Sequence, residues 1–509
     1  MLLLGLSAQT QAQGDNVPVN PDSALILALA KIEGTPLRLE EVINMAADYS
    51  TFARDAKGAL AAARGALKRE HGVFDPELFA DFTKASEKQP SASPFSGAAV
   101  LHPRTTNGDA GARITLPIGT ELEASIVGQK LETNSSFASL NPEYDATGSL
   151  AFRQPLLQGF GPAGWGNYMT AKFAYDAAKL RYEDAVAGIR AMAEGMYWDL
   201  YAAERDLAAA QVTLEQASVL LNEASLRGQA GLVGPNQVNN AKVFYAEQQL
   251  ALLDAEDNLS GRSDALASLI SKRPDPPVMR YRTLDEPPTV TSAEAADSVL
   301  ARALRTNRAL KAAELDVKSM RASYRAAQWN AFPKADLIGA FGGNGLGGTG
   351  RDVIFGSDTL RNNMDTKFSD AFEQALNRDY PTWMIGIQLS IPILLREKGG
   401  ERDRMRAELS RVEARYAQAR HDIEEQVLAN HRELENGINR LTAAQDGVRA
   451  ARDQVRIGVI EFRNGTTTAF ELARLGSDFA NSQRRYSQAL VRSAKAAARL
   501  NQLAPPDED

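Results

Sequence analysis

The sequence predicts a mixed, mainly α-helical fold made by internal duplication, with very long helices hung on short amphipathic strands. Three observations predict it. The first is the run Arg396–Arg463, which holds no proline and is rich in Ala, Arg, Glu and Leu, all strong helix formers. Its apolar residues step by threes, fours and sevens through Met405, Leu409, Val412, Tyr416, Ile423, Val427, Leu434, Ile438, Leu441, Val448 and Val455. That is the seam of a coiled-coil-like helix. Roughly 65 residues at about 1.5 Å each make a rod on the order of 100 Å long, which a globular core does not need. The second observation is that the order helix, strands, long helix, turn, helix occurs twice. The third is the alternation of Trp383, Ile385, Ile387, Leu389 and Ile391 with Thr382, Met384, Gly386, Gln388 and Ser390.

Composition narrows the class. The chain has 509 residues, a net charge of −7 and no block of one sign, whereas a nucleic-acid protein usually shows a basic stripe. It has no cysteine, which excludes thiolate metal sites and an acyl anchor on cysteine, and fits an oxidising compartment as well as chance. No apolar run approaches the ~18 residues of a transmembrane helix. Residues 1–12, an apolar stub followed by small residues, resemble a signal-peptide remnant without its basic front; an ordinary loose terminus is the other reading.

Residues 13–38 carry Pro18, Pro21 and Pro36 and are expected to form an extended arm. The first repeat spans 39–270. It opens with a helix from Leu39 to about Glu70, closed by Gly72 and Pro76. A weak strand alternates through Leu78, Ala80 and Phe82. Residues 85–111, rich in Ser, Pro, Gly and Asn, predict a loop. A hairpin follows, Ile114, Leu116 and Ile118 turning at Gly119 into Leu122, Ala124 and Ile126. A further strand, Leu150–Gln154, is broken by Gln158-Gly-Phe-Gly-Pro162 and admits a long helix from about Trp165 to Arg227, then a shorter one over 237–270.

A proline-rich linker, 271–291, separates the halves. The second repeat, 292–503, runs through a helix to Asn330, a strand at Leu337–Phe341, a long Gly/Asn/Asp-rich loop, the Trp383–Ile391 strand, the long rod and a helix over 469–503; 504–509 form a tail. Val42-Ile43 with Ala46 matches Val299-Leu300 with Ala303. The alternating strand suits a sheet half buried on a soluble core. It equally suits a transmembrane β-barrel, with apolar side chains toward lipid and polar or small ones toward the lumen. Only helices and closed barrels satisfy every backbone group in lipid, and two long rods need an anchor.

Motif matches for chemistry fail on context. Gly345-Leu-Gly-Gly-Thr-Gly350 fits G-x-G-x-x-G, but no helix opens after it, so a flexible extracellular loop is expected. His421 and His431 lie ten residues apart, too far for an i, i+4 metal pair. No catalytic constellation, cofactor site or metal site is expected.

The order and spacing of these features resemble the outer-membrane efflux (TolC-like) family. The resemblance is carried by the duplication, by Gln154-Pro-Leu-Leu-Gln-Gly159, by Gly231-Leu-Val233 with Val238-Asn-Asn-Ala241, and by Gly465-Thr466 with Ala469-Phe-Glu-Leu-Ala473. It extends from about Leu39 to Leu503. It implies a homotrimer in which each chain gives four strands to a 12-stranded outer-membrane β-barrel, continued by a 12-helix periplasmic α-barrel and girdled by an equatorial belt near 271–291. It implies a non-enzymatic exit duct of a tripartite efflux or type I secretion system, in the outer membrane and reaching into the periplasm. The partners implied are a periplasmic adaptor, an inner-membrane pump and outer-membrane lipid. The competing expectation is a soluble periplasmic coiled-coil or adaptor protein without a membrane barrel.

The resemblance also assigns residues. Glu471 and Arg474 fall where the family carries a pore-lining acidic ring; Glu471 keeps the charge and Arg474 reverses it, which puts strong cation selectivity in doubt. On the residues alone the two, three apart on a helix, are also a plain surface ion pair. Tip closure falls on Phe462, Thr467 and Gln237, where Thr467 replaces the family's Arg and Gln237 its acid, so the charged lock is absent. Gly231, Leu232, Gly465 and Thr466 are the implied adaptor-contact turns; the two glycines suit helix C-terminal turns on their own account.

Overall fold

The computed structural model describes residues 21–93, 96–290, 292–356, 358–464 and 466–506. The signal-remnant stretch 1–12 and the adaptor-turn residue Gly465 lie outside the described residues. In chain order the elements are α1 (Pro21–Ala30), β1 (Thr35–Leu37), α2 (Leu39–Tyr49), α3 (Thr51–Gly72), β2 (Glu77–Ser86), β3 (Gln89–Pro90), β4 (Val100–Leu101), β5 (Arg104–Thr115), β6 (Glu121–Glu132), β7 (Leu140–Pro155), α4 (Pro162–Gln229) and α5 (Pro235–Ile270). Then follow β8 (Tyr281–Thr283), α6 (Ala296–Thr306), α7 (Arg308–Asn330), β9 (Lys334–Gly350), β10 (Val353–Phe355), β11 (Asp358–Leu360), α8 (Phe368–Asn377), β12 (Tyr380–Ser390), α9 (Arg396–Arg463) and α10 (Ala469–Leu503). The two long helices, α4 and α9, have 68 residues each. No helix among the described residues is long and apolar enough to cross a membrane.

The chain forms two compact units, each drawing on both repeats. One comprises residues 59–180 and 311–419. Its centre is a six-stranded antiparallel sheet in the order β12-β9-β7-β6-β5-β2. Side chains alternate across it, so the register assigns every residue a face. One face is apolar, with Trp383, Ile385, Ile387 and Leu389 on β12 largely bare to solvent. The other carries Thr382, Ser149, Ser125 and the Arg113–Glu77 ion pair at 2.7 Å. On that polar face Asp336, fully buried, accepts from Arg153 at 2.9 Å, and Arg153 also pairs with Glu121, tying β6, β7 and β9 together. Helix α8 lies on the apolar face, where Ala371 and Ala375 pack on Ala146 and Phe368 meets Tyr144 edge-on at 6.1 Å.

The other unit comprises residues up to 58, 181–310 and 420 onward. Its main core joins Tyr197, Trp198, Leu200 and Leu207 of α4 to Leu259, Leu266 and Ile270 of α5, with Val42 and Ala46 of α2. A second core joins Val299 and Ala303 of α6 to Ile423, Val427 and Leu434 of α9. Matched residues of the two repeats therefore do matched work. Tyr197 hydroxyl donates to the Leu37 carbonyl at 3.0 Å and accepts from the Leu284 and Asp285 amides. Burial pushes that phenol up to about 12, so it stays neutral and can donate. The short parallel pair β1–β8 runs Thr35 beside Tyr281 to Leu37 beside Thr283.

Glu204 is buried beneath β8 and takes two bonds from Thr283, from its amide at 2.7 Å and its hydroxyl at 2.5 Å. Burial raises its carboxyl above the ordinary 4.5, outweighing the Thr283 bonds that lower it. The folded chain thus holds this proton more tightly than the unfolded one. The associated stability is full below 4.5 and is lost as pH rises through the folded value. Glu204→Gln is expected to flatten that decline, read as a smaller drop in melting temperature from acid to neutral pH.

Several elements differ from the sequence expectation. The helix expected from Leu39 is interrupted at Ser50, whose hydroxyl accepts from the Ala53 amide at 3.1 Å; the second-half helix is interrupted at Asn307, whose side chain accepts from Leu310 at 3.0 Å. These are N-caps of new helices, and they occupy matched positions. The arm contains helix α1 and strand β1 rather than one extended run. Residues 104–111, expected as loop, form most of β5, and Gly345–Gly350 end strand β9 instead of opening a loop. The four strands per chain implied by the resemblance become six in this sheet.

Candidate functional site

The candidate site is the pair of helix turns, α4 to α5 and α9 to α10, where the resemblance placed all its functional residues. The first turn is closed by main chain. The Leu232 amide donates to the Arg227 carbonyl at 2.9 Å and the Gly231 amide to Gly228 at 3.1 Å. Gly231 sits at φ +74°, the left-handed conformation that a Cβ penalises. This is the glycine-closed helix end of the Schellman type. The second turn repeats the outer bond, from the Thr466 amide to the Glu461 carbonyl at 2.9 Å. Thr466 adds a side-chain bond to the same carbonyl at 3.0 Å. Pro235 then opens α5, where its missing N–H costs nothing, and Thr468 caps α10 by accepting from the Glu471 amide at 3.2 Å.

Small residues let the helices close on each other here. At Gly228 an added Cβ would meet Val238 at 2.9 Å, and at Gly458 it would meet Leu475 at 2.6 Å. Each hairpin thus narrows beside its own turn. Leu232 remains exposed at 74%.

On α10, Arg474 is bonded to Glu471, with one contact at 3.2 Å, and reaches Asp478 at 3.4 Å. Acid, base and acid occupy i, i+3 and i+7 of one solvent-facing stripe. The Arg474 guanidinium, first by its hydrogen bonds and then by its charge, holds the Glu471 carboxyl below the ordinary 4.5. Asp478 was not singled out from the sequence; its position four residues after Arg474 was the available signal.

Gln237 lines a cavity of about 340 Å³ together with Arg227, Val233, Asn240, Thr468 and Phe470. The cavity joins the first turn to the start of α10. Phe462 and Thr467 are not among its lining residues. Gln237 shares that lining with Thr468 and Phe470. Among the described residues no cluster of three metal-ligating side chains occurs.

Residues 299–504 match the family model of the outer membrane efflux protein. No curated protein sequence matches the chain. Solved structures share its fold. The outer-membrane channel OprN is 16% identical with a TM-score of 0.63, covering 92% of this chain and 89% of its own. VceC of Vibrio cholerae is 14% identical with a TM-score of 0.61, covering 92% and 95%. The open state of the MtrE channel of Neisseria gonorrhoeae is 16% identical with a TM-score of 0.61, covering 92% and 88%. The chain thus matches the outer membrane efflux protein model over residues 299–504 and shares the fold of these outer-membrane channels along about nine-tenths of its length.

Proposed function

We propose that this protein is the exit duct of a tripartite efflux or type I secretion assembly, a homotrimer in the outer membrane that reaches into the periplasm. It catalyses no reaction; solute passes through water in its lumen. The observation that carries this reading is the six-stranded sheet, whose apolar face is covered in part by α8 and left bare along β12. Such a face needs lipid or a partner, since exposed apolar patches of this kind mark interaction surfaces. Among the described residues of one chain β12 pairs only with β9 and β2 only with β5, which leaves both outer edges open. Closure with further copies satisfies those edges, as lipid requires. The family resemblance supplies the number three.

The turns at Gly231, Leu232, Gly465 and Thr466 receive the periplasmic adaptor, through which an inner-membrane pump supplies the work. Phe462, Thr467 and Gln237 close the tip without a charged lock, by packing and polar contact. Glu471, Arg474 and Asp478 line the constriction. One basic residue between two acids leaves a net negative stripe, so a cation preference survives the Arg474 reversal. Arg474→Gln is expected to strengthen that preference and Glu471→Gln to weaken it, read as opposite shifts in reversal potential under a salt gradient.

The test of the whole reading is fractionation of the expressing cell. Recovery in the membrane, release only by detergent and discrete conductance in planar bilayers are expected. A protein recovered in the soluble fraction would instead be a periplasmic coiled-coil or adaptor protein.

A further inference from the structure

We infer that the β5–β6 hairpin is an inserted piece of the membrane wall, so that three copies close an eighteen-stranded pore, three chains of six strands each. The inference rests on the duct reading above.

The hairpin sits between β2 and β7 in the sheet order, bonded on both sides. Its pairing is full length. β5 pairs with β2 from Arg113–Glu77 to Arg104–Ser86, and β6 with β7 from Glu121–Arg153 to Leu131–Glu143. A hairpin standing above the membrane would need neither neighbour along its whole length.

Chemistry follows the register. One row across all six strands reads Trp383, Phe341, Leu150, Ala124, Ala112, Leu78. Every member is apolar, including the two from the hairpin. The next row, on the opposite face, reads Thr382, Gly342, Ser149, Ser125, Gly111, Phe79, and Ser125 shares a hydrogen bond with Ser149 at 3.0 Å. The hairpin therefore alternates in phase with the strands that flank it, apolar where they are apolar. A strand in water has no reason to keep that phase; a strand between lipid and lumen must.

Barrel diameter grows roughly linearly with strand number, so eighteen strands give a mouth about half as wide again as twelve. The outer-membrane segment is then wider still than the constriction proposed at the helix turns.

The absence of cysteine makes the test direct. Single cysteines at Ala124, Ser125, Ile126 and Val127 are introduced into the full chain, with Ile387→Cys and Gln388→Cys on β12 as references. In proteoliposomes, a membrane-impermeant maleimide is expected to label 125, 127 and 388 but not 124, 126 or 387. An environment-sensitive fluorophore attached in detergent at 124 and 126 is expected to be quenched by spin-labelled lipid after reconstitution, as at 387. Equal aqueous labelling of 124 through 127, with 387 still quenched, overturns the inference and leaves the duct reading standing. Light scattering in detergent is expected to give the mass of three chains, and any other copy number overturns the count of eighteen. Failure of 387 to be quenched overturns the duct reading itself.

Discussion

Trp198→Ala is expected to lower the unfolding free energy by about 3–5 kcal/mol, the usual cost of emptying a buried aromatic site. Trp198 is 1% exposed on α4, edge-on to Tyr197 at 5.0 Å and to Tyr201 at 6.3 Å, and its indole N–H donates to Glu194 at 3.2 Å. Truncation removes all of these contacts at once. It also opens the ground beneath Tyr197, whose hydroxyl holds Leu37 and the Leu284–Asp285 backbone together. The loss is therefore expected to spread to β1 and β8. Thermal denaturation of the detergent-solubilised protein reads the first effect. Faster amide exchange at residues 35–37 and 281–285 reads the second. Trp198→Phe, which keeps a ring in the site, is expected to cost less than half as much.

Gly345→Val is expected to be the most damaging single change in the sheet. The Ala371 carbonyl occupies the place where a Cβ on Gly345 would go, and Gly343 is crowded in the same way by the Ala375 carbonyl at 2.5 Å. The conflict is with backbone, which cannot rotate aside. Helix α8 must lift, and Ala146, Ala371 and Ala375 lose their cover. A cost of about 1–3 kcal/mol is typical of overpacking. Its signature is local, as protease cleavage within 361–379 under conditions where the parent chain is intact. Gly108→Val, with nothing within 4 Å of the added Cβ, is the matched control.

The long helices were legible because their signal is redundant. Arg396–Arg463 carries its seam, Met405 to Val455, through about seven heptads of consistent choices. The duplicated Val42/Ala46 and Val299/Ala303 pairs were legible for the same reason, and both proved to be core. The breaks at Ser50 and Asn307 were not. Neither residue is a strong breaker, and their capping role depends on the chain turning between two packed helices. Residues 104–111 of β5 and the far half of β9 were missed because Gly, Asn and Asp disfavour strand on propensity. Their neighbours on both sides supply the ladder, and Gly343, Gly345 and Gly347 of β9 lie against the backbone of α8 and its cap. Tertiary packing set those residues, and packing is invisible to a local pattern. On α10, Glu471 and Arg474 could be found by position. The partner that completes their stripe, Asp478, became evident only when the Arg474 side chain was seen to reach it.

The α4–α5 turn is closed by amides and carbonyls, with Gly231 as the one residue whose identity the geometry demands. Leu232 contributes its N–H and leaves its side chain to solvent. A surface built this way is evolutionarily cheap to rewrite. If the proposed adaptor docks at this turn, substitutions at position 232 retune which protein is received while the bend beneath them stays fixed, and recognition diverges between related organisms without any compensating change in the scaffold.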